Sequence, residues 1–547
     1  MPIPILLVYS FEGDAREIGE TVLNNVNEVI HRLNIKWNIE IVKRSSKIFV
    51  VSSTFKPLDY KFKEDCCQLE WGLDPAVSNV KMEFKDSELT IYIPDTPYYS
   101  SSLYIWRDKN YIVASPWWLP PSIAATLFHE LLIDSIYVWS VVSWSYSISH
   151  RALHPSVYRV PTGSMVKMSL SESIITTVFK YDTIYKADLS KLVDLLLEGA
   201  KNFLYVLEEQ GINEVWVGLS GGLDSRTTLS SLVKVSENRD IKVKAYTDIM
   251  PWTDPREVEI ARSIAEALDV EHRIIDNKNL DPYKAFNAIS NPFKDNKMVI
   301  ANGTGGDKTL DPLGRIKWSP SRDLNNMALK IIKTIDYSVD LPPIHRYTKG
   351  IYRALIENLV NGVSNSLELY RRYIIEFRLM NWLTSFTHPY ISPFLYPRFF
   401  KEAFRIDPVE KNYFILYAKV LNKLDDRLLK IPYYNLGIRL SPAGQIQKIK
   451  CISKYMWTGF KKVLRGQRGS IVPTKLAWEY VERLYSELNK IYNPIGDQTY
   501  KILEEALKSA IESRPKSARA LKVARNIIRV LKELTALNIA NNLRRVS

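Results

Sequence analysis

The chain has few cysteines and no long hydrophobic run, and both shortages exclude classes of protein. Its 547 residues hold three cysteines, Cys66, Cys67 and Cys451. They match neither a disulfide framework nor the spacing of a zinc site, so a reducing cytoplasm is the expected compartment. The most apolar stretch, 136–144, is too short to span a bilayer. Residues 1–8 are apolar but lack the basic region of a signal peptide, and the sequence therefore predicts no membrane partner.

Acidic residues are outnumbered by basic ones. Lys and Arg together number 74 and Asp and Glu 60, which makes the formal net charge +14 at pH 7. This balance allows contact with nucleic acid, but a basic nucleotide pocket would produce it equally well, and a nucleic-acid partner is not favoured. Hydrophobic residues make up 46% and charged residues 24%, as in ordinary soluble globular proteins, and the length allows two or three domains.

The functional interpretation depends on residues 214–225. A short apolar run rich in β-branched residues, typical of a buried parallel strand, ends at Leu219. Ser-Gly-Gly-Leu-Asp-Ser follows, from Ser220 to Ser225, and a helical pattern begins there. Such a turn aims free N–H groups and the positive end of a helix at one point, which suits a phosphate. Asp224 could hold magnesium. No Lys directly precedes Ser225, which excludes the phosphate loop of kinases and motor ATPases.

Strands and helices alternate after this turn. The sequence predicts strands over 242–247, 270–275 and 298–302 and a helix over 254–268, which is typical of a parallel sheet. Residues 3–182 differ, because most of their predicted elements are strands, with one helix over 123–145; this indicates an α+β domain with mostly antiparallel pairing. The predicted strands of that part cover 1–8, 47–53, 79–84, 88–93, 103–107, 110–114, 165–170 and 174–181.

The run from Ser220 to Ser225 is similar to the pyrophosphate loop of the N-type ATP pyrophosphatases, and its form resembles the asparagine synthetase family. The resemblance implies an α/β doubly wound parallel sheet, like that of the adenine nucleotide alpha hydrolases, with ATP and Mg²⁺ as cofactors. Regions at 244–247 and 302–307 agree with it. The residues that it implies for ATP and pyrophosphate binding are Leu219, Ser220, Gly221, Gly222, Asp224, Ser225, Tyr246, Thr247, Asn302 and Gly303. By the same resemblance Asp307 shares a magnesium ion with Asp224, while Lys308 stands where the family has Glu.

The second half of residues 1–185 resembles the glutaminase half of asparagine synthetase, in the hairpin 103–115 and the turn 158–164. The resemblance implies an Ntn-hydrolase-like α+β sandwich. Such glutaminases use a cysteine exposed at the start of the chain, beside its own free α-amine, and this sequence has Pro2 there. We therefore expect no glutamine hydrolysis, and we interpret Cys66 and Cys67 as packing residues.

Three domains are expected: a glutaminase-like domain over 1–185, an ATP pyrophosphatase domain over 186–470, and a helical, basic C-terminal extension over 471–547. The last is interpreted as a solvated helix face, with a nucleic-acid or partner surface as the alternative. Arg378, the run 393–395 and the Ile-Pro pair 431–432 resemble later segments of the family. The family's catalytic Lys and acceptor-side Glu have no clean counterpart, and the weak candidates are Lys448, Lys450, Lys462, Arg465, Glu357 and Glu368.

These observations predict an ATP-dependent, AMP-forming amide ligase, an asparagine synthase-like carbon–nitrogen ligase. Its partners would be a small carboxylate, with aspartate and asparagine biosynthesis first in line, and ammonia or another amine. A homodimer is compatible with the sequence. Two alternatives stay open: a tRNA-modifying adenylating enzyme with the same nucleotide-binding fold, and a non-catalytic relative. Salt-dependent RNA binding would distinguish the first alternative, and pyrophosphate exchange the second.

Overall fold

The computed structural model divides into two compact units. Unit 1 comprises Met1–Lys180, Ser321–Pro389 and Trp478–Ser547, and unit 2 comprises Tyr181–Pro320 and Tyr390–Ala477. The structure describes residues 4–10, 12–32, 39–44, 48–53, 59–63, 66–71, 80–85, 88–93, 103–169, 172–177, 185–209, 211–250, 253–277, 299–310, 321–379, 392–465, 475–491, 498–513 and 518–546.

The strands and helices are numbered along the described chain. The strands are β1 (Pro4–Ser10), β2 (Ile39–Arg44), β3 (Ile48–Ser53), β4 (Asp59–Lys63), β5 (Cys66–Trp71), β6 (Val80–Lys85), β7 (Glu88–Tyr92), β8 (Tyr104–Arg107), β9 (Tyr111–Ser115), β10 (Tyr158–Arg159), β11 (Ser164–Met168), β12 (Ser173–Thr177), β13 (Glu214–Gly218), β14 (Lys242–Ile249), β15 (His272–Asp276) and β16 (Val299–Ala301). The helices are α1 (Ala15–Arg32), α2 (Leu119–Phe128), α3 (Ser135–Trp144), α4 (Leu189–Glu209), α5 (Leu223–Ser236), α6 (Pro255–Ala267), α7 (Gly306–Thr309), α8 (Leu324–Ile335), α9 (Pro342–Val360), α10 (Ser366–Arg372), α11 (Pro397–Arg405), α12 (Pro408–Lys411), α13 (Ile415–Leu424), α14 (Arg427–Lys430), α15 (Gly444–Arg465), α16 (Lys475–Ile491), α17 (Gln498–Ser513) and α18 (Ala518–Val546).

Unit 1 contains two antiparallel sheets that share a hydrophobic core. Their strand orders are β10-β8-β9-β1-β3-β2 and β12-β11-β7-β6-β5-β4. Leu7 and Val50 of the first sheet belong to the same buried cluster as Ile91 and Val166 of the second. Burial of such side chains between two sheets is the favourable term that holds a sandwich together. The predicted antiparallel character of this part is confirmed, while its assignment to the Ntn-hydrolase class stays a prediction.

The predicted helix over 123–145 is wrong as a single element. The structure has α2 and α3 instead, because His129 adopts an extended conformation (φ −126°, ψ 172°) that ends α2. The Asp134 carboxylate then accepts the Tyr137 N–H at 2.8 Å and caps the start of α3. Four strands that the sequence did not predict, β2, β4, β5 and β10, complete the sheets.

The C-terminal helices belong to unit 1 and not to a separate group, and so does 321–389. Two basic residues of α18, Arg529 and Lys522, make packing contacts there. Arg529 forms an ion pair with Glu533 at 3.0 Å and donates to the Ser145 carbonyl at 3.2 Å. The Lys522 Nζ lies 4.0 Å from the centre of the Tyr337 ring. These positions are part of the folded unit, which differs from the solvated face expected for this helix.

Unit 2 is built on a parallel sheet in the order β15-β14-β13-β16. Val217 pairs with Ala245 of β14 on one side and with Ala301 of β16 on the other. Val215 and Val217 are fully buried, as expected for a strand covered on both faces. Helices α4, α5 and α6 contribute Leu196, Leu229 and Ile264 to the same core. The chain is therefore mixed α/β with a parallel sheet, as predicted.

The strand order reverses between β13 and β16. The first three strands of this sheet extend it in one direction, from β13 through β14 to β15, and β16 adds on the other side of β13. In open parallel sheets, ligands bind outside the carboxyl ends of the strands at such a reversal. The loops that follow β13 and β16 therefore define the edge where a site is expected. Among the described residues, no helix is both long enough and apolar enough to cross a membrane.

Candidate functional site

The loop after β13 is closed by its own serines. Ser225 Oγ accepts the Ser220 N–H at 3.1 Å and lies 3.1 Å from Ser220 Oγ. Ser220 Oγ accepts the Gly222 N–H at 3.2 Å. Gly222 precedes α5 and offers it no side-chain cap. The loop therefore has a fixed shape, and the first turn of α5 leaves N–H groups and a positive dipole end beside it.

A segment from 428 to 434 lies against this loop. The buried Arg226 guanidinium donates to the carbonyls of Leu428, Ile431 and Pro432 at 2.8, 2.9 and 3.0 Å. The Tyr434 N–H donates to the Gly221 carbonyl at 3.2 Å. A Cβ at position 221 would lie 2.6 Å from the Cβ of Tyr434, so glycine permits this close approach. The Ile-Pro pair noted in the sequence is thus anchored to the loop by Arg226, a residue that the motif did not single out.

The loop after β16 packs directly on the first one. A Cβ at Gly303 would lie 2.4 Å from the Cβ of Asp224, so only glycine lets the two loops touch here. Asn302 Oδ1 accepts the Thr304 N–H at 3.0 Å. Gly305 has φ +95°, a conformation that favours glycine, and it leads into α7. The glycines of the two motifs are therefore explained by backbone contact.

Asp224 and Asp307 lie side by side where the loops meet. The Asp224 carboxylate accepts the backbone N–H of Asp307 and the hydroxyl of Tyr417, and the Lys308 ammonium pairs with Asp307. Burial raises the pKa of Asp224, and the neighbouring Asp307 carboxylate raises it further, while Tyr417 and Lys308 act in the opposite direction. Two carboxylates in one place attract a cation.

This pair suits magnesium held jointly with a phosphate group. Among the described residues no cluster of three or more His, Cys, Asp or Glu side chains could hold a metal ion. Mg²⁺ is commonly bound by one or two carboxylates together with substrate phosphate oxygens, so a two-carboxylate donor set is compatible with it. The Lys308 ammonium already balances part of the charge of Asp307.

The predicted adenine-binding residues also lie together. The Leu219 N–H donates to the Tyr246 carbonyl at 2.7 Å, and Thr247 Oγ1 donates to the Leu219 carbonyl at 2.8 Å. Thr247 Oγ1 also lies 2.8 Å from His272 Nε2, which gives this histidine a structural partner. A Cβ at Gly218 would lie 3.3 Å from the Tyr246 hydroxyl, so the tyrosine ring lies over the end of β13. Tyr246 is half-buried at this position.

Among the candidates for the catalytic Lys, the structure describes the side chains of Lys448 and Lys450. Lys448 is exposed on α15, and the Lys450 Nζ donates to the Arg439 carbonyl at 3.2 Å. Lys462 and Arg465 belong to the same helix, but their side chains lie outside the described residues. Arg378 likewise has no described side chain. The catalytic lysine therefore stays a prediction.

Both candidates for the acceptor-side Glu lie in unit 1 and bind locally. Glu357 is exposed and pairs with Arg353 at 3.0 Å. Glu368 accepts the Ser364 N–H at 2.8 Å. These contacts assign neither residue a chemical role.

Two further residues contact the loops and were not predicted as site residues. Tyr417 reaches Asp224 from α13, a contact across 193 positions of sequence that no local pattern indicates. The Glu257 carboxylate accepts the Gly221 N–H, and burial raises the pKa of Glu257. An anionic oxygen is thus already bound to an N–H of the first loop.

No protein-family model matches the chain, and no curated protein matches it either. Among solved structures, the chain is similar to an NMN synthetase from Francisella tularensis, with 13% sequence identity and a TM-score of 0.19. The matched region covers 36% of this chain and 94% of the synthetase. A likeness of that size bears on neither the fold nor the chemistry of this chain.

Proposed function

We propose that unit 2 binds ATP at the edge between β13 and β16 and adenylates a substrate carboxylate, as amide ligases of the asparagine synthetase type do. The observation that carries this proposal is the pair Asp224 and Asp307, side by side in the first turns of the helices that follow two neighbouring parallel strands. A carboxylate pair beside a helix N-terminus suits a phosphate chain accompanied by a cation. The motif and the geometry therefore support the same chemistry.

The phosphates would lie against the first loop. The N–H groups at the start of α5 and the hydroxyls of Ser220 and Ser225 would bind pyrophosphate oxygens. The N–H of Gly221 now donates to the Glu257 carboxylate, so that side chain would have to move aside or be protonated for the N–H to bind a phosphate. The adenine would lie near Tyr246, above Leu219.

Asp224 and Asp307 would hold magnesium, which supplies charge neutralisation for the departing pyrophosphate. Lys308 pairs with Asp307 and its charge also acts on Asp224, and its ammonium would bind the same leaving group. The unplaced catalytic lysine of the family could thus be replaced by a lysine on α7. Lys308, which stands where the asparagine synthetase family has Glu, would then stabilise the charge of the leaving pyrophosphate.

The reaction would proceed in two steps, adenylation of the carboxylate and attack by the amine. A carboxylate oxygen of the substrate attacks the α-phosphorus of ATP, the bond to the β-phosphate oxygen breaks, and pyrophosphate leaves. An amine nitrogen then attacks the acyl carbon, the carbon–oxygen bond to AMP breaks, and the amine loses a proton. Unit 2 would orient the phosphates and exclude water from the adenylate, since an exposed adenylate hydrolyses.

The test is ATP–pyrophosphate exchange, screened over small carboxylates with aspartate first. Exchange that requires one carboxylate supports adenylation. A carboxylate labelled with oxygen-18 should then pass one labelled oxygen to AMP when the matching amine is added. Formation of ADP and phosphate would contradict the proposal, since cleavage would then occur between the β- and γ-phosphates.

Two other outcomes favour the alternatives. Exchange that appears only with tRNA, and binding to RNA that weakens steeply with salt, would indicate a tRNA-modifying enzyme. ATP binding by calorimetry without any exchange would indicate a non-catalytic relative. In that case the ion pair between Lys308 and Asp307 would be the first place to look for the cause.

A further inference from the structure

Helix α15 presents an apolar face to solvent. The exposed fractions are 51% for Ile446, 62% for Ile449, 70% for Met456 and 53% for Trp457. On a helix of 3.6 residues per turn, these positions fall on one side. The opposite side is buried, with Gln447 and Cys451 at 0% exposure. Large apolar groups on one exposed face usually mark a surface that contacts something apolar.

The same helix lies in a segment without any acidic residue. From Arg427 to Trp478 the sequence has no Asp or Glu and contains eleven Lys or Arg residues, six of them in α15. The formal charge of this segment is therefore +11, while the net charge of the whole chain is +14. The six basic residues of the helix are Lys448, Lys450, Lys454, Lys461, Lys462 and Arg465. Cations beside an exposed apolar face are typical of a helix that lies on an anionic membrane surface.

We propose that α15 binds the surface of a membrane that contains anionic lipids. Its apolar side chains would enter the boundary between headgroups and acyl chains, and its lysines would contact lipid phosphates. The helix would lie in the plane of the surface. The sequence predicts no membrane partner because its most apolar stretch is too short to span a bilayer, and that reason does not bear on a helix that lies on the surface.

The charge and the apolar face of α15 favour a lipid surface over two other partners, a second copy of the chain and duplex nucleic acid. A second copy of the chain would bring six cations of one helix against six of another, which is unfavourable. Duplex nucleic acid would bind the lysines through its phosphates but would leave the side chains of Ile446, Ile449 and Met456 in water. An anionic lipid surface satisfies both the charge and the apolar face, and for this reason it is the occupant proposed.

The experiment is co-flotation of the full chain with lipid vesicles. Vesicles of phosphatidylcholine alone are compared with vesicles that contain about 30 mol% phosphatidylglycerol. The chain should float with the anionic vesicles only, and raising the salt from about 0.1 M to about 0.5 M should weaken binding. The double variant Ile449→Ser/Met456→Ser should lower the affinity about tenfold or more, because two apolar anchors are lost.

A matched control is Val409→Ser, which removes an apolar side chain of similar exposure, 55%, from α12. It should bind vesicles like the unmodified chain. All of these side chains are exposed, so circular dichroism should show unchanged folding of each variant.

Three results would overturn the proposal: no flotation with either vesicle, equal loss of binding in the control, or vesicle binding that the double variant retains. Binding of the double variant to duplex DNA with unchanged affinity, together with no vesicle binding by the unmodified chain, would assign the basic segment to nucleic acid. Self-association that the double variant abolishes would assign the face to a second copy.

Discussion

Two buried carboxylates, one in each unit, differ in the charges that surround them. Burial raises the pKa of both Asp224 and Glu376. In unit 1 the Glu376 carboxylate accepts the Thr162 N–H at 3.0 and 3.1 Å, and Arg159 and Arg372 lower its pKa again. In unit 2 the largest influence on the pKa of Asp224 after burial is a second carboxylate, Asp307, which raises it further.

The difference distinguishes a carboxylate whose charge is balanced by arginines from one that lies beside a second carboxylate. Glu376 lies in the π-helix Tyr373–Leu379, and its charge is balanced by residues of the same unit. Asp224 has a like-charged neighbour, which costs free energy that a cation or a charged ligand would recover. A raised pKa alone would not separate the two cases. The sign of the neighbouring charge does.

The largest expected effect is on activity in unit 2. Asp224→Asn should lower ATP–pyrophosphate exchange by about 10³-fold or more, since the variant loses a charge that the leaving pyrophosphate and its cation require. Its thermal midpoint should stay the same or rise, because repulsion from Asp307 disappears. Asp307→Asn is the matched variant and should behave alike. Exchange that survives in both variants would remove the carboxylate pair from the proposed site.

The second effect concerns stability in unit 1. Glu376→Leu should destabilise the fold by about 3 kcal/mol, because Arg159 is left buried without its counter-charge. Urea denaturation measures this loss, and exchange by the folded fraction should be unchanged. The double variant Glu376→Leu/Arg159→Leu should lose less than the sum of the two single variants. Additive losses would show that the two charges do not interact.

Substitution of Lys308 should change ATP–pyrophosphate exchange less, and the direction of the change distinguishes two roles for this lysine. If its ammonium binds the leaving pyrophosphate, Lys308→Met should lower exchange about 10- to 100-fold with little change in stability. Lys308→Arg should restore part of the activity, since the charge is kept. An increase in exchange on Lys308→Met would mean the reverse, that the lysine competes with the cation for Asp307.

The sequence predicted the core of unit 2 because its patterns are local. A β-branched run followed by Ser-Gly-Gly-Leu-Asp-Ser and a helical period specifies strand, turn and helix over adjacent residues, and β13 and α5 begin and end close to the predicted positions. Two such strand-to-loop segments in a parallel sheet must place their loops at one edge. The proximity of Gly303 to Asp224 follows from that rule.

Contacts between distant segments could not be predicted in this way. Tyr417 and Arg226 meet their partners across about 200 positions of sequence, and neither belongs to a periodic pattern that identifies the partner. The break between α2 and α3 was missed for a different reason. Residues on both sides of it are largely apolar, so one helical pattern fits both helices and does not mark Asp134 as the cap of α3.

His150 and Glu376 share two charged neighbours, Arg159 and Arg372, and the titration of His150 tests the charge balance in this part of unit 1. Burial lowers the pKa of His150 well below 6.5, and the charge of Arg159 lowers it further. The folded state therefore keeps His150 neutral, while the unfolded chain binds a proton below pH 6.5. The unfolded state then holds more protons, so stability rises with pH up to that value and is lost as the pH falls through it.

The contribution of one such group is about 1.4 kcal/mol between about pH 7.5 and about pH 5.5. His150→Gln keeps a hydrogen-bond donor and removes the titration. The difference between the urea-derived stabilities of the variant and the unmodified chain should therefore shrink or change sign as the pH falls over this range. A difference that stays constant with pH would mean that His150 takes up its proton in the folded state as readily as in the unfolded chain.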